Sequence, residues 1–282
     1  MAGNDLILFG MGDVIMNRDD YQRRWDPLLP ILRQADMRCC QAEQVLSDRG
    51  TPSDPSCLPW RMPAKYAAAY GYAGIDVASP NGNHAMEWGT EGLMDTIEAL
   101  QKNGVKTFGA GKDIDAARTP AIIEKKGTKV AFLGYNSIIA FGDEADGNWP
   151  GVAPMRVDTF YQEIEHNQPA GPARIRSFAD REDLAAMKKD VAKAKQSADI
   201  VVVALHYGIH YVRAEMAEYQ FEVAHAAIDA GADIIFGHHP HLLKAIEVYK
   251  GKVIFHSLGN FLCDALKQVP GFSASQRKLP RL

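Results

Sequence analysis

Apolar residues fall along this chain in short runs separated by segments of helical spacing. The runs at 6–9, 37–40, 76–79, 105–108, 130–133, 200–205, 234–236 and 253–255 are of strand length and are predicted to be buried strands. Between several of them the apolar positions recur every three or four residues. Leu93, Ile97 and Leu100 share a face in 92–102, Leu184, Met187 and Val191 do so in 180–197, and 221–230 repeats the spacing. Strands that alternate with helices predict an α/β fold with a mostly parallel sheet. Near the end, 243–248 and 252–255 flank the turn Tyr249-Lys250-Gly251, which predicts an antiparallel hairpin and therefore mixed sheets. Two stretches lack either period. The Pro-, Ser- and Asp-rich 47–63, and 142–176 with its Asn148-Trp149-Pro150-Gly151 turn, read as long insertion loops within a single domain spanning 1–282. Loops of that length border functional sites or move on the surface, and bordering the site is the expectation adopted for both.

Polar residues follow the apolar runs in a way that a core does not require. Asp13 comes after the first run, Glu43 after the second, and Asn81-Gly82-Asn83-His84 after the third. His206-Tyr207-Gly208-Ile209-His210 follows 200–205, and Gly237-His238-His239-Pro240-His241 follows 234–236. In open α/β sheets ligands gather beyond the carboxyl ends of the strands, so these clusters converge on one edge. Each has a structural alternative: Asp13 could cap a turn, Glu43 could begin a surface loop, and His206 could be a satisfied core histidine. Three imidazoles after one buried strand are costly without partners, and that weighs against a purely structural reading of the whole set.

Composition narrows the chemistry. Of the nine histidines, His84, His206, His210, His238, His239 and His241 lie in these clusters. Imidazole mixed with carboxylate suits one or two ions of manganese, zinc or iron, whereas oxygen-only sets suit magnesium or calcium. No cysteine joins the motifs, and adjacent Cys39 and Cys40 on a strand would point to opposite faces; with Cys57 and Cys263 they read as reduced thiols. A net charge of -4 over 282 residues gives no electrostatic reason to expect a nucleic-acid partner. The opening segment has no basic region and is too short for a signal core or membrane span, so the chain as given is expected to be soluble and cytoplasmic.

Five ordered motifs carry a family resemblance. They are Gly12-Asp13-Val14-Ile15-Met16-Asn17-Arg18, then Asn83-His84-Ala85 with Gly89 and Gly92-Leu93, then Leu205-His206-Tyr207-Gly208. Gly237-His238-His239-Pro240-His241 and Ser257-Leu258-Gly259-Asn260-Phe261 complete the set. Over about 6–264 the sequence resembles the CapA/PgsA family of poly-γ-glutamate capsule synthesis proteins, which are related to the calcineurin-like metallophosphoesterases. The resemblance implies a metallophosphatase-like four-layer αββα sandwich with mixed sheets. It implies Asp13 on one metal, Glu43 bridging, Asn83, His206 and His239 on a second metal, and His241 returning to the first. His84 takes the acid/base position, oriented by Glu87, while Arg18 and Asn260 are candidates for contacts to a substrate anion or to the ligands. The family's Asp-x-His has Ile15 in place of its histidine, which leaves the first metal one ligand short. The carboxylate expected after His-x-Gly is His210, which could be a ligand, a substrate contact or a polar loop residue; His238 is a further candidate ligand. The implied activity is metal-assisted hydrolysis of a γ-glutamyl-type amide or a phosphoester, in a small molecule or a polyglutamate-like substrate. The alternative is a non-catalytic component that binds poly-γ-glutamate during capsule synthesis or export.

Overall fold

Every apolar run that predicts a strand coincides with or overlaps one in the computed structural model, which describes residues 5–53, 60–168 and 171–264. Five strands form a wholly parallel sheet in the order Asn260–Cys263, Leu8–Ile15, Met37–Ala42, Val77–Ser79, Lys106–Thr107. Six more form a mixed sheet in the order Ile246–Tyr249, Lys252–Phe255, Ile234–His238, Ile200–His206, Thr128–Asn136, Ala121–Lys125. Its central strands are parallel and its two outermost pairings are antiparallel, one of them the hairpin predicted near the end of the chain.

Three apolar clusters glue these sheets into four layers. Met37, Cys39 and Val77 of the first sheet, with Phe108 just past its last strand, meet Phe132, Val202 and Phe236 of the second, and this cluster is the interface between sheets. On the outer side of the first sheet, Val14, Cys40 and Ala42 pack with Trp25, Tyr70 and Leu100 from the helical segments. Beyond the second sheet, Leu133, Val203 and Leu205 pack against Met187 and Val191 of the helix Arg181–Lys195 and Val223 and Ala227 of the helix Glu218–Ala230. Cys39 and Cys40 therefore serve different interfaces, as alternation along a strand requires. This is the α/β, metallophosphatase-like four-layer sandwich that the resemblance implied. Cys57 lies outside the described residues, and among those described no helix is long and apolar enough to cross a membrane.

The structure corrects the sequence reading in two places. Asp13 does not follow its strand but lies within Leu8–Ile15, between residues where the register shifts against both neighbours. Such bulges re-aim a side chain, and here Gly12 makes room, since a Cβ on it would come within 1.9 Å of the Gly259 carbonyl oxygen. The segment 142–176 is not a plain loop either. Val157–Glu163 and Ala173–Ala179 pair as an antiparallel two-stranded ribbon exposed over most of its length. With both faces largely in water, neither strand shows the one-sided apolar alternation that marks a half-buried strand.

Candidate metal centre

Parallel strands from both sheets end at one edge of the sandwich, and their terminal side chains meet there. Glu43 follows Met37–Ala42 directly, and Asn83 and His84 lie in the turn after Val77–Ser79. His206 and His238 close two adjacent strands and stand opposite one another in register. Past His238 the backbone turns sharply, with φ of 91° at His239 and 53° at His241. Left-handed conformations in residues with a Cβ cost about 1–3 kcal/mol each and persist where surrounding contacts fix them.

Asp13 gathers one group. Its Oδ1 accepts from Nδ1 of His238 at 3.2 Å, and its Oδ2 lies 3.0 Å from Nδ1 of His241. His241 Nδ1 also reaches Oδ1 of Asn260 at 2.7 Å, so two oxygens face it and its proton belongs there, leaving Nε2 with a lone pair. Burial opposes ionisation of Asp13, yet the two imidazoles override it and hold the carboxyl well below its ordinary range. Burial likewise opposes a charge on His241, and Asp13 reverses that to raise its pKa.

Asn83 gathers the other group. Its Oδ1 lies 2.9 Å from Nε2 of His206 and 3.3 Å from Nδ1 of His239. Burial pulls His206 well below the usual imidazole value, with His239 adding to the effect, and burial followed by His210 pulls His239 down to about 3. These imidazoles are neutral at physiological pH, the state in which they bind metal.

Glu43 lies between the groups, with Oε2 3.7 Å from His206 Nδ1 and Oε1 3.9 Å from His241 Nε2. Burial, and then the Asp13 charge, push its carboxyl well above the ordinary range. Both Glu43 oxygens, Asp13 Oδ2 and His206 Nδ1 are buried with no hydrogen-bond partner among the described residues. Gly82 keeps the space beside Glu43 open, for a Cβ there would stand 2.7 Å from Oε2. Donors bound at about 2.1 Å and separated by about 90–110° are about 3.0–3.4 Å apart. The observed spacings of 2.9–3.3 Å match that and also match hydrogen bonds, so they decide nothing alone. The unpartnered atoms decide it. A buried carboxylate flanked by imidazole nitrogens and satisfied by none of them has the donor chemistry of a cation site. Among the described residues no three or more His, Cys, Asp or Glu converge as a finished cage. The residues fit a divalent ion in donor type and burial.

Beside this centre, His84 Nδ1 meets Glu87 Oε1 at 2.5 Å, and Glu87 Oε2 accepts the Trp60 backbone N–H at 2.6 Å. The Trp60 ring stacks on His84 at 4.8 Å and 4°. His210 is sandwiched between Tyr211 at 3.9 Å and His239 at 4.7 Å, and burial followed by the nearby His241 lowers its pKa to about 4. Arg18 is not brought to the group. It pairs through Nε and Nη2 with Asp20 at 2.5 and 2.9 Å and lines a separate cavity of about 540 Å³ with Arg24, Tyr66 and Asp264. The local Arg18-Asp19-Asp20 sequence already supplied that acidic partner.

Trp60 and Tyr211 went unread in the sequence. Trp60 sits in the aperiodic 47–63, whose end thereby borders the site, and its partner Glu87 is 27 residues away. Nothing in local spacing marks such a contact. The second insertion reaches the site region through Val152, which packs with Ala85 and Met86 between His84 and Glu87, and through Asp143, which feels the Glu87 charge. Its ribbon, Val157–Glu163 with Ala173–Ala179, is tied instead to the helix Glu218–Ala230, while residues 54–59 of the first insertion and 169–170 of the second fall outside the described residues.

Residues 7–265 match the family model of the bacterial capsule synthesis protein PGA_cap. The PGA biosynthesis protein CapA of Bacillus subtilis is 38% identical over 64% of this chain and 41% of its own length. The capsule biosynthesis protein CapA of Bacillus anthracis is 33% identical over 68% and 41% respectively. The chain thus spans about two fifths of the length of these relatives. A probable polyglutamine synthesis accessory protein of Mycobacterium tuberculosis is 29% identical over 87% of this chain and 60% of its own. Among solved structures, a hypothetical protein from Thermus thermophilus superposes with a TM-score of 0.53 at 16% identity, covering 90% of this chain and 77% of that one. A candidate 5'-nucleotidase from Staphylococcus aureus in complex with α-ketoglutarate does so with 0.51 at 14%, covering 90% and 48%. These two likenesses concern the fold alone.

Proposed function

This chain belongs to the family of the bacterial capsule synthesis protein PGA_cap, and from that premise we propose that it is a metal-dependent hydrolase. Its substrate would be an amide of γ-glutamyl type or a phosphoester, and the names of its relatives, which speak of PGA and polyglutamine synthesis, favour the amide. The observation that carries the reading is the Glu43 carboxylate, buried and without a hydrogen-bond partner between His206 and His241.

Asp13, Glu43 and His241 would hold one ion and Asn83, His206 and His239 a second, with Glu43 shared. When bound, a divalent ion supplies a Lewis acid that lowers the pKa of water and polarises the bond to be broken. The chain's own residues do the rest. Asn260 fixes the His241 ring through Nδ1, so that Nε2 points toward Glu43. Glu87 occupies Nδ1 of His84, leaving Nε2 to carry a proton to the leaving group, and Trp60 holds the ring plane. His210 and Tyr211 form an aromatic wall over His239 and His241.

The test is metal analysis of purified protein reconstituted with manganese or zinc, then turnover of a γ-glutamyl anilide and an aryl phosphodiester. At least one equivalent of metal is expected in the parent and less in His239→Ala. Less than one equivalent in the parent, with the same content in His239→Ala, would sink the reading. A second reading, a non-catalytic component that binds polyglutamate during synthesis or export, is favoured by relatives named for biosynthesis rather than cleavage. It predicts polymer binding without turnover, unchanged in His84→Ala, whereas the hydrolase loses turnover and keeps its metal.

A further inference from the structure

The ribbon of Val157–Glu163 and Ala173–Ala179 is a two-stranded sheet of its own. Its root is tied to the helix Glu218–Ala230. Glu222 accepts the Ala179 N–H at 2.8 Å, and Ser177 Oγ accepts the Tyr219 N–H at 3.3 Å. Further out, the same face loses its support. Tyr161 and Ile175, directly opposite one another, are 75% and 62% exposed. On the other face Phe160 and Phe178 lie 6.1 Å apart with their rings tilted at 56°, and they are 56% and 43% exposed. A two-stranded ribbon is marginal by itself, and one that displays aromatic residues on both faces is incomplete.

The free edge shows how it is completed. Among the described residues, no strand pairs with the outer edge of Val157–Glu163, and no backbone hydrogen bond beyond the ribbon's own reaches it. The segment contains no lysine and no proline, the residues that usually block an exposed edge. We propose that this edge pairs antiparallel with the same edge of a second copy of this chain, centred on Phe160.

The sequence is self-complementary in that register. Phe160 faces its own copy, Thr159 faces Tyr161, Asp158 faces Gln162 and Val157 faces Glu163, so no like charges oppose one another. The other strand could not do this, because centring it on Arg176 sets two arginines face to face, and Glu218 and Glu222 already occupy its side. Antiparallel pairing also lays each tip beside the partner's root, where the partner's helical layer can cover Tyr161 and Ile175. The four exposed side chains leave about 400 Å² per copy in water, or about 800 Å² for a pair. With the paired backbones and covered body surface, that reaches the roughly 1,000 Å² of a specific interface.

Sedimentation velocity of the whole chain, up to about 100 µM, tests this. Twice the chain mass is expected. Phe160→Glu and Phe160→Lys each set like charges opposite one another and should weaken the dimer by more than about tenfold. An equimolar mixture of the two should restore it as a heterodimer. A parent that stays monomeric overturns the proposal, and so does a ribbon that docks instead on another protein, because the pure chain would then be a monomer. Dimers that persist in both variants, or a mixture that fails to pair, overturn it equally, and circular dichroism shows whether each variant is folded.

Discussion

The two halves of the centre solve the problem of buried polarity in opposite ways. Around Asp13 the charge has close partners: His238 donates to one carboxylate oxygen, His241 stands 3.0 Å from the other as an ion-pair contact, and Asn260 meets His241. Glu43 differs: its oxygens lack hydrogen-bond partners, and its imidazole neighbour His206 is held neutral by burial. The first half is largely satisfied as it stands, while the second is the half that the proposed cation would satisfy. A site of this kind stores the affinity for a cation as unfavourable desolvation in the empty protein.

The largest expected effect is on the satisfied half. Asp13→Asn removes the charge that His238 and His241 address and replaces one of the two facing oxygens with an NH2 donor. Breaking one side of a buried ion pair costs about 3–5 kcal/mol. Urea unfolding of protein freed of metal by chelation should show that loss, and a change below about 1 kcal/mol would mean that the two halves do not differ as described.

Acid sharpens the contrast. His206 and His239 have pKa values depressed in the folded state, so the unfolded chain takes up protons that the folded one refuses, and stability falls as pH drops below the ordinary imidazole value of about 6.5. The half-exposed His210 adds to this at a discount for solvent screening. Glu43 works the other way. Its raised pKa favours the folded state at low pH, and that advantage is lost as pH rises above the ordinary carboxyl value. From about pH 6 to 5 the lowered histidines outnumber the one raised glutamate, so the net effect of acid is to destabilise the metal-free protein. Unfolding midpoints of metal-free protein across that window should fall with acid, and a flat profile would remove the case for neutral, buried imidazoles.

The fold was more legible than the site's fine structure, for physical reasons. Buried parallel strands write themselves as apolar runs, and the polar residues that end them stand out, which is how Asp13, Glu43, Asn83, His206 and His239 could be named together. The position of Asp13 inside its strand was hidden because a bulge is a property of two strands and their register. Trp60 was hidden because stacking on His84 has no local period, and the ribbon because its exposed faces leave no one-sided pattern. Arg18 was drawn to the site by its motif, whereas Asp20, two residues on, claims it.

The smallest effect has the opposite sign and tests the comparison most directly. Glu43→Gln keeps the shape and removes the ionisable group that no neighbour satisfies. Its amide can donate to His206 Nδ1, which has no partner in the parent. Relieving a buried, unsatisfied carboxyl should raise the stability of the metal-free protein by about 1–2 kcal/mol near neutral pH. The same change removes the proposed shared ligand, so the rise in unfolding midpoint on adding manganese or zinc should shrink or vanish. A destabilised Glu43→Gln protein that still gains stability from metal would show that Glu43 is satisfied in the folded chain. A gain in the metal-free state with loss of the metal response is what a carboxylate reserved for a cation must give.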